Sequence, residues 1–304
     1  MSIMEKDILK VIKYFDIFSF YPNFDLILNF LEKKVDNRDL KKTLIKLINA
    51  KKLSYKAGLY TLGGYIRESK KLSHFAEASR DKKVKIQKQE ERKEITRKKI
   101  NKIKLYVRTL SFFPQIKFIG LSGSAAMDNA KEEDDIDLFI TSSINHLWTA
   151  RLISLFFAQL FGLRRSRFEK NPGKKICLNL FFDEKNLSVP DYKKNYYIAH
   201  EILQMKPLVD KDNIYYRFLA SNKWIYKLFP NAKYPLLKDH KYIVKNKKDL
   251  VKKNFIENIS RIFQLWIIKK HKTIEIITST QLWFFPDDYE KKLPDWARKK
   301  YNIK

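Results

Sequence analysis

Asp135 and Asp137 stand one residue apart in the run Asp135-Ile136-Asp137-Leu138-Phe139-Ile140. In a strand, residues i and i+2 share a face, so the two carboxylates lie side by side, roughly 7 Å apart along the chain. Ile136, Leu138 and Ile140 point the other way. Carboxylates paired on an otherwise apolar strand repel unless a cation lies between them. Oxygen ligands in this arrangement suit Mg2+ or Mn2+, completed by substrate phosphates and water. Glu132, Glu133 and Asp134 precede the pair and already supply surface acidity without disturbing the strand.

Upstream, Phe118, Ile119 and Leu121 form a short apolar run of the kind a buried strand shows, and Gly123-Ser124 ends it. Ala125, Ala126 and Met127 then open a helix. Glycine permits close approach of the backbone, and the first amides of a helix present free N–H groups to an anion. A triphosphate is the natural occupant of such a turn, so Gly123 and Ser124 are candidate nucleotide contacts. Asp135 and Asp137 are the candidate metal ligands and catalytic carboxylates.

The elements around this stretch divide the chain into four parts. Residues 1–66 hold three short helices: Ile8, Val11, Ile12 and Phe15 mark the first, and Leu26, Phe30 and Leu31 the second. The third starts at an N-cap, Asp36 or Asn37, and buries Leu40, Leu44, Leu47 and Ile48. A hairpin follows, Leu53–Lys56 and Leu59–Leu62 around Ala57-Gly58. Three helices and a hairpin resemble a winged helix-turn-helix, in which Arg38, Lys41, Lys42 and Lys46 would face DNA. Residues 67–98 form a charged connecting helix, exposed in its first half, with apolar docking positions at Ile95, Ile100, Ile103 and Val107. Residues 99–190 carry the acidic strand, a buried helix over Leu147–Leu163 and a further strand over Ile176–Phe182. Residues 191–304 read as helical throughout, over Tyr192–Met205, Tyr215–Leu228 and Leu250–Lys270, with Pro207, Pro230, Pro235 and Pro286 as punctuation.

Gly123-Ser124 followed by Asp134-Asp135-Ile136-Asp137-Leu138 resembles the signature of the DNA polymerase beta-like nucleotidyltransferase superfamily. The wording SGSAAMDNA…DDIDLFI, with YIAHEILQMKPL at 197–208, is similar to bacterial nucleotidyltransferase domain proteins that also carry a winged-helix-like N-terminal region. The resemblance implies an α+β fold: a small mixed β-sheet nucleotidyltransferase domain, an N-terminal winged-helix-like domain and a helical C-terminal region that closes the cleft. It also implies that Asp135 and Asp137 hold Mg2+ or Mn2+, that Gly123 and Ser124 touch a nucleoside triphosphate, ATP foremost, and that a nucleotidyl group passes to an acceptor hydroxyl. Active members commonly place a third carboxylate on the later strand, where this chain has Asn179 as its inward candidate. Asp183 has the same strand parity but lies about 13 Å further on. Glu184, a residue from the C-terminal region, or nothing would then make up the deficit.

The remaining features fit more than one reading. Arg164, Arg165, Arg167, Lys174 and Lys175 are positioned to reach phosphates, or to sit in a solvated loop. His200 has no second histidine at i+4 and reads as structural. Cys177 reads as a small core residue. Being the only cysteine, it excludes an intramolecular disulfide and a cysteine-based zinc cluster, which fits a reducing cytoplasm. The formal charge of +29 points to a polyanion such as nucleic acid or anionic lipid. A chain rich in Lys, Ile, Asn, Phe and Tyr is also what an AT-biased gene encodes, so charge alone does not choose the partner. The first residues, interrupted early by acids and lysines, do not read as a signal peptide. The most apolar segment, Leu147–Leu163, falls short of the roughly 20 residues of a bilayer span, so no membrane partner is expected. A second reading is a non-catalytic, nucleotide-sensing regulatory protein that holds nucleic acid through its N-terminal domain. A third is a toxin–antitoxin-type protein acting only with a protein partner.

Overall fold

The computed structural model describes residues 1–63, 74–165, 173–233, 255–270, 275–284 and 293–298, with backbone alone for 74–86. Arg167, Pro235, Phe285, Pro286, the start of the expected connecting helix and residues 250–254 of the expected last helix lie outside the described residues.

The N-terminal elements form where their local signals place them. Helix α1 (Ile3–Ile17) starts in a capping box of Ser2 and Glu5, α2 (Phe24–Asn29) is capped by Asn23, and α3 (Asn37–Asn49) by Asp36. Strands β1 (Leu53–Lys56) and β2 (Leu59–Leu62) pair in antiparallel register, with Ala57 and Gly58 both at positive φ in the turn. Ile8, Val11, Ile12 and Phe15 pack with Leu40, Leu44 and Leu47 in one core.

Helix α4 (His74–Ser111) follows, about 57 Å long. Its docking rests on a polar stripe rather than on the apolar positions alone. Gln89, Arg92, Thr96 and Lys99, three or four apart, lie along one side of the helix. Gln89 bonds both backbone groups of Tyr21, and Arg92 donates to the carbonyls of Phe18 and Ser19 and to Asn129 Oδ1. Thr96 Oγ1 accepts from the Ala130 amide. Lys99, 6% exposed, donates to the carbonyls of Glu132, Asp134 and Gly173. Only beyond it do Ile103, Tyr106, Val107 and Leu110 join the apolar core.

A six-stranded mixed sheet forms the centre, in the order Lys206–Asp210 (β6), Ile116–Leu121 (β3), Ile136–Ser142 (β4), Ile176–Asp183 (β5), Gln281–Trp283 (β8) and Ile276–Ile277 (β7). Strands β3 (Ile116–Leu121) and β4 (Ile136–Ser142) are antiparallel. The four-residue helix α5 (Gly123–Ala126) lies in the connection between them. Strand β5 (Ile176–Asp183) runs parallel to β4 after the crossover helix α6 (Leu147–Leu160). Ile119, Ile136, Leu138, Ile140 and Phe181 pack with α4 and α6 on one face, and Phe118, Phe139 and Phe182 join the N-terminal helices and the C-terminal region on the other.

The expectation of an all-helical C-terminal region is corrected. Lys206–Asp210 forms β6, an edge strand on β3; Ile276–Ile277 (β7) and Gln281–Trp283 (β8) extend the sheet beyond β5. Pro207 looks like a helix stop in sequence, yet an edge strand tolerates a residue with no N–H to donate. Tyr196–Gln204 (α7), Ile214–Ser221 (α8), Trp224–Leu228 (α9), Phe255–Lys269 (α10) and Asp295–Arg298 (α11) are the α-helices described there. The one helix expected over Tyr215–Leu228 is two, because the side chain of Asn222 bonds the Leu187 and Phe218 carbonyls and the Val189 amide between them.

Helix α7 is fixed by His200, fully buried and stacked between Tyr14 (3.8 Å between ring centroids) and Phe30 (3.9 Å). Burial holds its imidazole well below the usual histidine range, so the ring stays neutral and acts as packing, as the sequence suggests. Among the described residues no helix is long and apolar enough to cross a membrane.

Replacing Lys99 by Met leaves three inward carbonyls without their donor. Lys99→Met is expected to lower unfolding free energy by about 2–4 kcal/mol in urea titration. A variant as stable as wild type would remove Lys99 as the clamp on the 129–134 loop.

Candidate functional site

Asp135 immediately precedes β4 and Asp137 lies in it, on the face opposite Ile136 and Leu138, as the alternation requires. One ligating atom each of Asp135, Asp137 and Cys177 lies within 4.8 Å of the others. The turn at the end of β3 fits against this pair. Gly123 has φ +63°, and a Cβ there would collide with Asp137 Oδ2. Glycine is therefore favoured there by the positive φ and by the close approach of a carboxylate, before any ligand is considered.

The other predicted turn contact is differently placed. Ser124 Oγ donates to Asp134 Oδ2 at 3.0 Å, and the same oxygen accepts from the Lys131 amide at 2.9 Å. Asp134 thus closes the acidic loop instead of joining the pair. Lys99 holds that loop from behind, and Gly173 fits there because a Cβ would meet the Glu132 carbonyl.

Asn179 occupies the inward position foreseen for it and donates from Nδ2 to Asp137 Oδ1 at 3.2 Å. Asp183 does not share its face. Asp137 pairs with Cys177 but Phe139 with Leu180, so β5 carries one extra residue, a bulge that inverts parity beyond Asn179. Asp183 instead accepts from the Asn145 and Lys185 amides, and burial pushes its carboxyl up to about 6. Glu184 pairs with Arg217 at 2.9 Å and also accepts from the Ile144 amide. Both are engaged away from the Asp pair.

The carboxylate that does reach the site comes from the C-terminal region. Glu201 on α7 accepts the Gly123 amide at 3.2 Å through Oε2, filling the position an incoming anion would take. Burial pushes its carboxyl up to about 7, against the opposing effect of that amide. Burial, then Asp135 and Glu201, hold Asp137 well above the usual carboxylate range. The sequence signal for Glu201 is its isolation: it is the only acid in YYIAHEILQ, a helix whose neighbours Tyr196, Ile198, Ala199, His200 and Ile202 are buried. Its partner lies 78 residues away, which no local pattern reports.

Of the basic candidates, Arg165 enters the site. Its Nη1 meets Asp135 Oδ2 at 2.6 Å and lies 4.0 Å from Cys177 Sγ. Lys175 turns away to the Gly162 carbonyl, and Lys174 is exposed. The donor set fits a hard cation in part. Carboxylate oxygens of Asp135 and Asp137 suit Mg2+ or Mn2+, whereas burial, with Asp137 and Asp135 beside it, pushes the Cys177 thiol up so that it stays protonated and ligates poorly.

No protein-family model, no curated protein and no solved structure matches the chain.

An unfolded glutamate titrates near 4.5, so native Glu201 binds the extra proton between that value and about 7. Stability must therefore fall as pH rises through this window, because the native state then gives up a proton it favours. Glu201→Gln, measured by urea unfolding without divalent cations, should remove about 1–3 kcal/mol of the loss between about pH 5 and pH 8, leaving the slope due to Asp137. Parallel pH profiles for the two proteins would place Glu201 outside the carboxylate cluster.

Proposed function

We propose that the chain is a metal-dependent nucleotidyltransferase of the DNA polymerase beta-like kind, moving a nucleotidyl group from an NTP, ATP foremost, to an acceptor hydroxyl. The observation that carries this reading is the meeting of Asp135, Asp137 and Glu201 around the Gly123 turn on one face of the sheet. Asp135 and Asp137 would hold Mg2+ or Mn2+, which when bound neutralises charge on the transferred phosphoryl group. The acceptor oxygen attacks the α phosphorus in line, forming the new P–O bond as the bond to pyrophosphate breaks. The hydroxyl proton passes to a base, and a Glu201 carboxyl poised near 7 suits that role at neutral pH. Arg165 provides a cation beside Asp135 for the phosphates. A cleft of about 520 Å³ begins where α5 ends, at Ala126–Asp128, and includes Gln204, one turn along α7 from Glu201. Phe20, Tyr21 and Asn23 of the N-terminal region also line it, giving an acceptor room next to the turn.

In this reading residues 1–66 are the winged-helix-like domain, 67–98 the connecting helix, and 99–190 the catalytic domain, its sheet extended by β6, β8 and β7 from the C-terminal region. A single cysteine and a nucleotide substrate would suit a reducing cytoplasm. The second reading, a nucleotide-sensing regulator that binds nucleic acid through the N-terminal domain, is favoured by two contacts. Arg165 and Asn179 already neutralise and hydrogen-bond the Asp pair without a metal. On the N-terminal surface Lys41 and Lys42 stay exposed, while Lys46 is paired with Glu5 at 2.7 Å.

Asp135→Ala with Asp137→Ala should abolish ATP–Mg2+ binding in calorimetry, and equal affinity in the double variant would reject the site. Incubation with labelled NTPs, Mg2+ or Mn2+ and a panel of tRNA, DNA, protein and small-molecule acceptors separates the two readings. Label transfer that Glu201→Gln slows by about 10²–10⁴-fold supports the enzyme, and nucleotide binding with no transfer supports the regulator.

A further inference from the structure

Helix α10 is built inside out. Its polar residues Glu257, Ser260 and Gln264 lie three and four apart and face the protein, with Ser260 and Gln264 buried. Glu257 accepts from the Trp148 and Thr149 amides at 2.7 and 2.8 Å, supplying the N-terminus of α6 with the cap that His146 does not provide. Gln264 accepts from Arg151 at 2.6 Å and donates to the Trp148 carbonyl at 2.8 Å. These bonds fix the rotation of the helix. The opposite face, Phe255, Ile256, Ile259, Ile262, Phe263 and Trp266, is left 50–74% exposed. On the neighbouring α6, Leu152, Phe156 and Leu160 are exposed at i, i+4 and i+8.

So much large apolar surface on one helix marks a contact with something apolar. Charge narrows what that is. The one acid of α10 is occupied at α6, and its remaining charges, Arg261 and Lys269, are basic and exposed, as is Lys270 just beyond it, whose Nζ lies 3.9 Å above the Trp266 ring. A second copy of the chain would set +29 against +29. An anionic lipid surface offers hydrocarbon for the Phe, Ile and Trp side chains and negative charge for the lysines, the pairing that holds interfacial helices. The helix, about 22 Å long, is too short to span the roughly 30 Å hydrocarbon core, so the contact is with the surface.

We propose that the outward face of α10, extended by α6, seats the protein on an anionic bilayer surface. The test uses the full chain with vesicles of phosphatidylcholine, alone or mixed with phosphatidylglycerol, separated by flotation at low salt. Wild type should float with the anionic vesicles and not with the neutral ones. Ile262→Asp with Trp266→Asp, native by circular dichroism, should bind on the order of a hundredfold more weakly, while Trp266→Phe keeps binding. Should the aspartates disturb folding, Ile262→Gln with Trp266→Gln carries the same test. Absence of flotation, equal flotation on both vesicle types, or undiminished flotation of the double variant would overturn the proposal. So would a concentration-dependent dimer in ultracentrifugation that the double variant loses, which assigns the face to a second copy. Shielding of Trp266 from acrylamide without vesicles, read against Trp266→Phe, would assign it to another segment of this chain.

Discussion

Crowding of like charge on a partly apolar sheet face is the constraint from which the site follows. Asp135, Asp137 and Glu201 converge there, burial disfavours ionisation of Asp137 and Glu201, and each of the three has one polar partner. Arg165 faces Asp135, the Asn179 amide donates to Asp137, and the Gly123 N–H donates to Glu201. None of the three offsets the cost of burial, which raises the carboxyls of both Asp137 and Glu201, and Asp137 also feels the charges of Asp135 and Glu201. A buried cluster left in this condition favours any added positive charge, whether a proton or a divalent cation.

Such a cluster needs a rigid frame, and the frame is assembled from distant parts of the chain. The polar stripe of α4 joins the backbone at Phe18–Tyr21 to the loop at 129–134, so the N-terminal helices and the acidic loop share one support. On α7, His200 and Glu201 are adjacent but point about 100° apart around the helix. His200 is stacked between Tyr14 and Phe30 while Glu201 reaches Gly123, so the packing of α1 and α2 sets the height of a carboxylate at the site.

Features decided locally were legible in sequence, and those decided across the fold were not. The N-cap of α3, the hairpin around Ala57-Gly58 and the alternation along β4 depend on neighbours within a few positions, and each is found where it was expected. Strand β6 was hidden by Pro207, which is tolerated only because β6 is an edge, and β7 and β8 are too short for a periodic signal. The parity of Asp183 failed at a bulge, which requires a partner strand to exist. That the Ser124 hydroxyl meets Asp134 was not legible either, because the sequence does not show how the loop between them folds back. The stripe on α4 was masked by the density of charge around it, since nothing local marks which lysine of many will be buried.

Among the described residues, two places depart from the agreement between levels expected of a sequence that specifies one structure. At the carboxylate cluster, charge is retained on a strand whose neighbours Ile136 and Leu138 are wholly buried. At α10, apolar side chains face outward although the helix has polar residues enough to turn the other way. The two departures are opposite in kind. One holds more negative charge than its surroundings neutralise, and the other exposes more hydrocarbon than its surroundings cover. Each is fixed by specific hydrogen bonds, Gly123 to Glu201 at the first and Glu257 to the α6 amides at the second, so neither is a loose element that happened to fall that way. The proposed cation at the first place and the proposed bilayer surface at the second would each supply from outside what these contacts leave unfavourable within the chain.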